Sequence, residues 1–441
     1  MEKSFAGFIA ALVMLGFCSS NVGANDREHT LKIYNWADYI DESLIPEFEQ
    51  WYEQQTGEPV KIIYQTFDIN ETMLSKIELG HEDFDVVCPS DYIIERMLKS
   101  DLLLPIDKNF GDTPNYIDGN LSPYIKNMFN HIEGFGKNAN DYSVGFMWGT
   151  TGLIYNPKFI TKDEASSWYI LQDKRIEGKL LMKEAFRDVY TSLLIGLNKE
   201  AIDKGEKNLD ALCRDCSDES IAQVEEFLNS IKSSISGWEA DFGKEAMTKE
   251  RAWINLSWSG DAEWAIEEAA EVGITLDYCV PKEGSTVWFD GWVIPKYAQN
   301  VQAARYFINF MCKPENALRN MDAIGYVSCI GGQQILDAMS DPDSYEYEDA
   351  RYFFGEEADS VAINPVMYPS QEIMDRCGMM HDNGEDTAKL LAMWSRVKGN
   401  NSSAITYIII GVIIALAAGF GIYSKVSKNK RKKGKRSKSK R

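Results

Sequence analysis

The first hundred residues alternate between short apolar runs and longer amphipathic stretches. The apolar runs have the length of buried strands, whereas the amphipathic stretches repeat apolar positions every three to four residues, as helices do. In the stretch 41–57, for example, Leu44, Phe48 and Trp51 form one apolar stripe, and Gly57 is a suitable terminator. The pattern predicts strands at 31–36, 60–66 and 85–88, helices at 41–57, 70–79 and 92–101, and an N-cap at Asn70. Strands that alternate with helices predict an α/β fold with a parallel sheet covered on both faces.

The rest of the chain repeats this alternation less regularly. Further strands are predicted at 150–156, 178–182, 254–260, 273–280 and 287–295, and further helices at 222–235, 301–311 and 383–399. The acidic, turn-rich segment 341–359 is interpreted as a surface insertion, and Asn400 to Ser403 as a short linker. A length of 441 residues is enough for two domains of ordinary size.

Both ends of the chain have patterns typical of membrane targeting. Residues 1–24 contain an apolar run and end in small residues, which predicts a signal peptide cleaved near Ala24; an uncleaved start and lipidation of Cys18 are the alternatives. Residues 404–423 carry no charge and can cross about 30 Å of hydrocarbon. Because residues 424–441 hold eleven Lys or Arg and no acid, we predict a transmembrane helix followed by a basic cytoplasmic tail.

The charge balance differs sharply between the tail and the remainder. The whole chain has 46 basic and 67 acidic residues, but residues 25–403 hold 34 basic and 66 acidic residues, a net charge of about −32. Such a domain repels nucleic acid and attracts small cations. The predicted partners are therefore a small cationic ligand and the membrane, with no nucleic acid.

No catalytic motif stands out in the sequence. It lacks GxSxG, HExxH, a Walker loop and a GxGxxG after a strand, so no enzymatic activity and no cofactor are expected. Cys213 and Cys216 form a lone CxxC, which leaves a local disulfide and plain thiols both open. Without a second ligand pair, and with four His in the chain, this motif does not predict a metal site.

Acids recur beside aromatic residues at the ends of predicted strands. The pairs are Trp36 with Asp38 and Tyr39, Trp258 with Asp261, and Trp288 with Asp290. Aromatic faces attract cations and pack against methylenes, and carboxylates form strong hydrogen bonds with ammonium groups. In α/β sheets, ligands bind beyond the carboxyl ends of the strands. Together these features favour a flexible apolar chain with amines at its ends as the ligand.

Eight motifs now identify a family resemblance. In chain order they are YNWADYI (34–40), YQTFDINETMLSKI (64–77), FDVVCPSDYIIERM (84–97), DYSVGFMWGTTGLIYN (141–156), LLMKEAFRDVY (180–190), WSGDA (258–262), PKEGSTVWFDGWVIP (281–295) and IGYVS (324–328). From about Leu31 to Gly399 the chain resembles the polyamine-binding (spermidine/putrescine) proteins of ABC transporters, a branch of the type II periplasmic binding proteins.

The resemblance implies a two-lobed fold in which each lobe is discontinuous. Lobe 1 is expected to comprise 30–145 with 287–332, and lobe 2 to comprise 146–286 with 333–399. The ligand-binding residues that it implies are Trp36, Asp38, Tyr39, Ser90, Tyr92, Asp188, Trp258, Asp261, Trp288, Asp290 and Tyr326. Among them Asp290 is expected to anchor one amino group, with Asp188 meeting an amine from the second lobe.

Three positions depart from the family pattern. Ala37 stands where relatives usually have Ser or Thr, Ala185 stands where spermidine-binding relatives can have an acid, and Met380 lies near the place of a glutamine seen in some relatives. Fewer acceptors at one end of the site favour a shorter ligand, putrescine, over spermidine.

We therefore expect a membrane-anchored, extracytoplasmic solute-binding protein that captures polyamine and delivers it to ABC transporter permease subunits. The alternatives are a membrane-anchored polyamine sensor and a binder of another small organic cation. The tail of 18 residues leaves no room for a folded output domain, which favours transport.

Overall fold

The computed structural model describes residues 27–240 and 242–399. The predicted signal peptide at 1–24, transmembrane helix at 404–423 and tail at 424–441 lie outside the described residues. Within the described ranges, no helix is both long enough and apolar enough to cross a membrane.

The described residues alternate between strands and helices over most of their length. The strands are β1 (Thr30–Trp36), β2 (Lys61–Phe67), β3 (Val86–Val87), β4 (Leu103–Leu104), β5 (Glu133–Gly134), β6 (Lys137–Asn138), β7 (Ser143–Tyr155), β8 (Leu180–Lys183), β9 (Ile235–Glu239), β10 (Ile254–Trp258), β11 (Asp277–Cys279), β12 (Ser285–Pro295), β13 (Val327–Ser328), β14 (Tyr347–Glu348), β15 (Val361–Ala362) and β16 (Cys377–Met379). The helices are α1 (Leu44–Thr56), α2 (Asn70–Glu78), α3 (Asp91–Lys99), α4 (Tyr116–Asn120), α5 (Pro123–Phe129), α6 (Ala139–Tyr142), α7 (Lys162–Ala165), α8 (Phe186–Leu197), α9 (Lys199–Asp203), α10 (Leu209–Cys213), α11 (Asp218–Ser230), α12 (Gly243–Thr248), α13 (Ser259–Glu271), α14 (Val301–Met311), α15 (Pro314–Ile324), α16 (Gln333–Met339), α17 (Arg351–Phe354), α18 (Gln371–Met374) and α19 (Thr387–Gly399). Short 3₁₀ helices lie at Trp168–Gln172, Lys174–Ile176, Glu356–Ala358 and Gly384–Asp386.

The six elements predicted in the first hundred residues are confirmed near their expected bounds. One detail is wrong: Asn70 is the first residue of α2, not its N-cap. Its side-chain amide instead donates hydrogen bonds to Ser90 and Tyr92, each at 3.0 Å. A tertiary partner has therefore replaced the local capping role that the sequence suggests.

Later elements also form, with shifted ends. The strand predicted at 254–260 ends at Trp258, because α13 begins at Ser259. The helix predicted at 222–235 begins at Asp218, where the Ser217 hydroxyl accepts a hydrogen bond from a backbone N–H and caps it. The helix stops at Ser230, and a turn over residues 231–234 leads into β9 at Ile235.

Twelve strands of the described residues form one mixed sheet, with the main order β2-β1-β3-β12-β7-β10-β8-β9. The expected parallel pairing holds in two groups: β1 with β2 and β3, and β8 with β9 and β10. It is wrong at the centre, where β12 and β7 run antiparallel to each other and to β3 and β10. These two long strands are buried along their whole length and join the two parallel groups.

The expected lobe boundaries, at 145/146 and 286/287, fall inside these two strands. The lobe assignment itself stays a prediction. What the topology establishes is that two adjacent antiparallel strands, β12 and β7, lie between the two parallel groups in the sheet.

The segment 341–359 is not merely a surface insertion. It contains β14 and α17, and Phe353 within it is fully buried. The Phe353 ring stacks on that of Trp148 in β7, with centroids 5.3 Å apart. The many acidic and turn residues of the segment predict exposure, which is wrong for Phe353.

The chain divides into two compact units. The larger comprises the described residues of Met1–Asp215 and Ser233–Gly384, including the sheet and all eleven predicted ligand-binding residues. The smaller comprises the described residues of Cys216–Lys232 and Glu385–Arg441, in which α11 and α19 pack together. An ion pair between Arg396 and Glu225, at 2.6 Å, links these two helices.

Candidate functional site

Asp290 lies at an irregularity in β12. The register with β7 shifts between Asp290 and Gly291, as in a β-bulge, a feature that often re-aims a side chain. Both carboxylate oxygens accept hydroxyl hydrogen bonds, one from Tyr39 at 2.9 Å and one from Ser90 at 2.7 Å. Burial raises the pKa of Asp290 to about 6. Residues that follow β1 and β3 thus meet at one acid in the middle of β12.

The Ser90 hydroxyl that donates to Asp290 also accepts a hydrogen bond. Asn70 donates to it and, through the same amide nitrogen, to the hydroxyl of Tyr92. The guanidinium of Arg187 lies 4.4 Å from the centre of the Tyr92 ring. One face of the Tyr92 ring is therefore already covered by a cation of the protein. The contribution of Tyr92 to the site is indirect: its hydroxyl and that of Ser90 accept hydrogen bonds from the same nitrogen of Asn70.

Four aromatic side chains form a continuous series that begins at Tyr39. The ring of Tyr39 is 5.8 Å from Tyr326, Tyr326 is 5.4 Å from Trp288, and Trp288 is 6.4 Å from Trp258. All three contacts are edge-to-face, with interplanar angles of 65–71°. We call Tyr39, Tyr326, Trp288 and Trp258 the aromatic series.

Two glycines allow the aromatic series to pack so closely. A Cβ atom on Gly260 would lie 2.3 Å from the Tyr326 ring, and one on Gly149 would lie 2.6 Å from the Trp288 ring. Any larger residue at either position would displace a ring. Glycine is required at these positions for close approach and not for unusual backbone angles.

Asp188 lies at the opposite end of the aromatic series from Asp290. It belongs to the first turn of α8 and accepts a hydrogen bond of 2.9 Å from the indole N–H of Trp258. Burial raises its pKa to about 6 as well, and its negative charge contributes to the raised pKa of Asp290. Within the part of the chain that the structure describes, no Lys, Arg or His lies within 4.0 Å of either carboxylate. Neither acid is therefore in an ion pair, although the positive charges of Lys183 and Arg187 partly offset the effect of burial on the pKa of Asp188.

Asp261 is in a different state, because the protein supplies its counter-ion. One oxygen accepts a hydrogen bond of 2.8 Å from the hydroxyl of Tyr326, and the other lies 2.5 Å from the ammonium of Lys183. Burial alone would raise the pKa of Asp261, but the charges of Lys183 and Lys244 lower it below its usual value. Asp261 is thus an ionised carboxylate that is already neutralised.

Trp36 and Asp38 stand apart from these contacts. Trp36 is half-buried against Phe67, with ring centroids 4.5 Å apart, and Asp38 is exposed with a φ of 52°. In residues 27–240 and 242–399, no hydrogen bond or ring contact joins either of them to the aromatic series. The structure brings the other nine predicted residues into one connected cluster. The assignment of all eleven to a ligand site stays a prediction.

Four buried charged residues next to the site were not among the predicted ligand-binding residues: Asp91, Lys183, Arg187 and Glu239. Asp91 accepts hydrogen bonds from the backbone N–H groups of Tyr92 and Phe289, and burial raises its pKa well above its usual value, which favours the neutral form. Lys183 and Glu239 form a buried ion pair at 3.2 Å. For Lys183 the available signal was a charged residue directly after the apolar strand predicted at 178–182, whereas Asp290 drew attention as an acid within an apolar stretch.

Cys213, by contrast, contributes nothing to this cluster. It is a buried thiol outside any disulfide, and burial raises its pKa. Among the residues that the structure describes, no group of three or more His, Cys, Asp or Glu is arranged to hold a metal ion.

Comparison with known proteins gives matches along most of the chain. Residues 47–337 match the family model described as bacterial extracellular solute-binding protein. The spermidine/putrescine-binding periplasmic protein of Escherichia coli is 27% identical over 318 residues, which cover 72% of this chain and 81% of that protein. The putrescine-binding periplasmic protein SpuD of Pseudomonas aeruginosa is 25% identical over 411 residues, which cover 90% of this chain and 99% of that protein.

A solved structure agrees with the sequence matches. It is the spermidine/putrescine ABC transporter substrate-binding protein PotD from Streptococcus pneumoniae, and it superposes with a TM-score of 0.61 at 27% identity. The match covers 84% of this chain and 98% of that chain. The mixed α/β, two-lobed solute-binding fold expected from the sequence is thereby confirmed.

Proposed function

The chain belongs to the bacterial extracellular solute-binding proteins, and we propose that it binds a polyamine, putrescine or spermidine, and delivers it to an ABC transporter permease. The family is one of binding proteins and not of enzymes, which agrees with the lack of catalytic motifs in the sequence. Relatives named for spermidine and putrescine binding support the choice of ligand.

The observation that carries the proposal is the pair of buried acids, Asp188 and Asp290, at the two ends of the aromatic series. A buried carboxylate is stable in its ionised form only when a cation or several donors compensate it. Asp290 has two hydroxyl donors and Asp188 has one indole donor from a side chain. A ligand with an ammonium group at each end would supply both missing charges.

The aromatic series suits the middle of such a ligand. Methylene groups pack well against aromatic faces, and an ammonium over a ring gains about 0.5–2 kcal/mol, depending on how far it is desolvated. The four rings are held edge-to-face, and the Lys183 ammonium lies over the ring of Trp258. We propose that the other ring faces receive the methylene chain when the site opens. A polyamine combines methylenes with terminal ammonium groups, whereas an amino acid would place a carboxylate beside one of the buried acids.

Access to the site requires the structure to open. The side chains of Trp288, Asp188, Asp261 and Asp290 belong to residues that are each at most 8% exposed. We propose that the parts of the chain assigned to lobes 1 and 2 separate to admit the ligand and close over it. Because the acids are compensated only when the ligand is present, binding favours the closed state.

We also propose how the protein is held at the membrane. The signal peptide at 1–24 directs export, the helix at 404–423 anchors the chain, and the basic tail at 424–441 stays in the cytoplasm. The polyamine site then faces the cell exterior or the periplasm, next to the permease.

Capping one amine of the ligand tests the two-anchor arrangement. Titration calorimetry on the full chain in detergent would compare putrescine with N-acetylputrescine, which keeps the methylenes but has a single ammonium. Loss of one charge-assisted hydrogen bond, about 1.5–3 kcal/mol, should weaken binding by about 10- to 150-fold. Equal affinities for the two compounds would contradict the role of one acid, and a lack of binding by every polyamine would refute the proposed function.

A further inference from the structure

Lys183 presents a buried ammonium inside the candidate site. Its side chain is 1% exposed, and its Nζ lies 2.5 Å from Asp261, 3.2 Å from Glu239 and 3.0 Å from the carbonyl oxygen of Ala240. These three acceptors match the three donors of an ammonium group. The residue lies at the end of β8, and its partner Asp261 follows 78 positions later in the chain.

The same ammonium also contacts the aromatic series. Its Nζ lies 4.4 Å from the centroid of the Trp258 ring, within the range of a cation–π interaction. Trp258 in turn donates to Asp188, and Tyr326 donates to Asp261. Lys183 thus makes the contacts that an amine of a bound ligand would make: a carboxylate, a second acid and an aromatic face.

The charges of the site divide into a balanced and an unbalanced pair. Asp261 and Glu239 face two lysines, since Lys244 lies 3.6 Å from Asp261 in addition to Lys183. Arg187, whose charge lowers the pKa of Asp188, faces Glu71 at 3.5 Å and is balanced by it, which leaves Asp188 and Asp290 as the unbalanced pair. The uncompensated charge of the site is therefore about −2, which matches a ligand with two ammonium groups.

We propose that Lys183 is a specificity-determining residue, whose tethered ammonium fills the subsite formed by Asp261 and Trp258 and so limits the ligand to two ammonium groups. The inference rests on the proposed function and narrows it to diamines and to polyamines in which further amines are capped. A third ammonium would enter without a counter-ion and next to Lys183, in a site from which most water is excluded.

The effects of ligand charge and ligand length on affinity can be separated by comparing ligands on the wild-type protein. Spermidine acetylated at one primary amine keeps the length of spermidine but carries two ammonium groups. We expect putrescine and acetylated spermidine each to bind the wild-type chain at least tenfold more tightly than spermidine does. Spermidine binding as tightly as the acetylated compound would overturn the inference.

Substitution of the lysine provides a second test. Lys183→Met keeps a similar length and removes the charge, so the ratio of spermidine affinity to putrescine affinity should rise at least tenfold in calorimetry. Lys249→Met is the matched control, because it removes the same charge from an exposed lysine that pairs with Glu245 and not with Asp261; its ratio should change by less than about threefold. The double change Lys183→Met with Asp261→Asn restores the charge balance and should return the ratio towards the wild-type value.

The outcomes distinguish this inference from the function on which it rests. If putrescine binds and Lys183→Met leaves the affinity ratio unchanged, the inference fails while the proposed function stands. If no polyamine binds the wild-type chain, both fail. Should Lys183→Met not fold, as judged by its thermal unfolding transition, the comparison of spermidine with its acetylated form on the wild-type chain decides.

Discussion

Replacement of Asp290 by asparagine should weaken ligand binding and at the same time stabilise the unliganded protein. Asparagine has nearly the same shape and can still accept a hydroxyl hydrogen bond from Tyr39 or Ser90. It cannot compensate an ammonium group. A hydrogen bond to a charged group contributes about 1.5–3 kcal/mol, so the Kd for putrescine should rise by about 10- to 150-fold.

The expected gain in stability follows from the pKa of Asp290. Burial raises it from 3.8 to about 6 in the folded protein. A pKa that is higher in the folded than in the unfolded state means that folding disfavours the ionised acid, and this destabilisation appears as the pH rises through about 4 to 6. At pH 7 the rise corresponds to about 3 kcal/mol, since each pKa unit is about 1.4 kcal/mol. Asp290→Asn removes this term, so its advantage should be largest above pH 6 and absent below about pH 4.

Two measurements on one pair of variants test this reasoning. Calorimetry gives the Kd, and thermal unfolding at pH 4 and pH 7 gives the change in stability. The control is Asp322→Asn on α15, which makes the same chemical change at an exposed position and should alter neither quantity by much. If Asp290→Asn unfolds at a lower temperature than the wild type at pH 7, Asp290 has a structural role and the assignment as an uncompensated ligand anchor is refuted.

The remaining predictions concern protonation, packing and topology. Because burial raises the pKa of both Asp188 and Asp290 to about 6, putrescine affinity should fall on the order of 100-fold between pH 7 and pH 5 in calorimetry, and a flat pH profile would contradict their joint role. Gly260→Ala, which would bring a Cβ to within 2.3 Å of the Tyr326 ring, should destabilise the protein by about 1–3 kcal/mol in thermal unfolding, whereas Gly119→Ala, where no atom lies within 4 Å, should not. Protease added outside intact cells should leave an epitope placed after residue 441 uncut, and its digestion would show that the tail is not cytoplasmic.

The convergence of Tyr39 and Ser90 was predictable from the sequence, because both follow strands of one parallel group. The carboxyl ends of such strands meet at one edge of the sheet, and the structure places both residues on Asp290. The partner of the acid was harder to predict. A carboxylate in an apolar strand suggests a positive group nearby, yet Asp290 is held by two hydroxyls. The position of the Asp290 side chain depends on the bulge in β12, which no local sequence pattern predicts.

Lys183 shows what a reading of local patterns misses. The sequence predicts a strand at 178–182, so the lysine falls one position beyond it, where a charged residue is ordinarily taken to reach solvent. Its burial depends on Glu239 and Asp261, which lie on separate elements far along the chain. Asn70 is a second case: its position suggests a cap, but Ser90 and Tyr92 engage its side chain. In both cases the competing interaction is tertiary.

The two uncompensated acids give a physical reason for ligand-driven closure. Each carboxylate is disfavoured by burial in the arrangement seen here, by about 3 kcal/mol if its pKa of about 6 is compared with its usual value of 3.8. Opening the site would return both carboxylates to water and remove that penalty, so electrostatics favours the open state of the unliganded protein.

A diamine removes the penalty in a different way, by bringing two ammonium groups to Asp188 and Asp290. A difference of about 5.5 kcal/mol is enough to move a two-state equilibrium from 1:99 to 99:1, and the two acids together supply a term of that order. On this argument the acids that bind the ligand are also the acids that make closure depend on it.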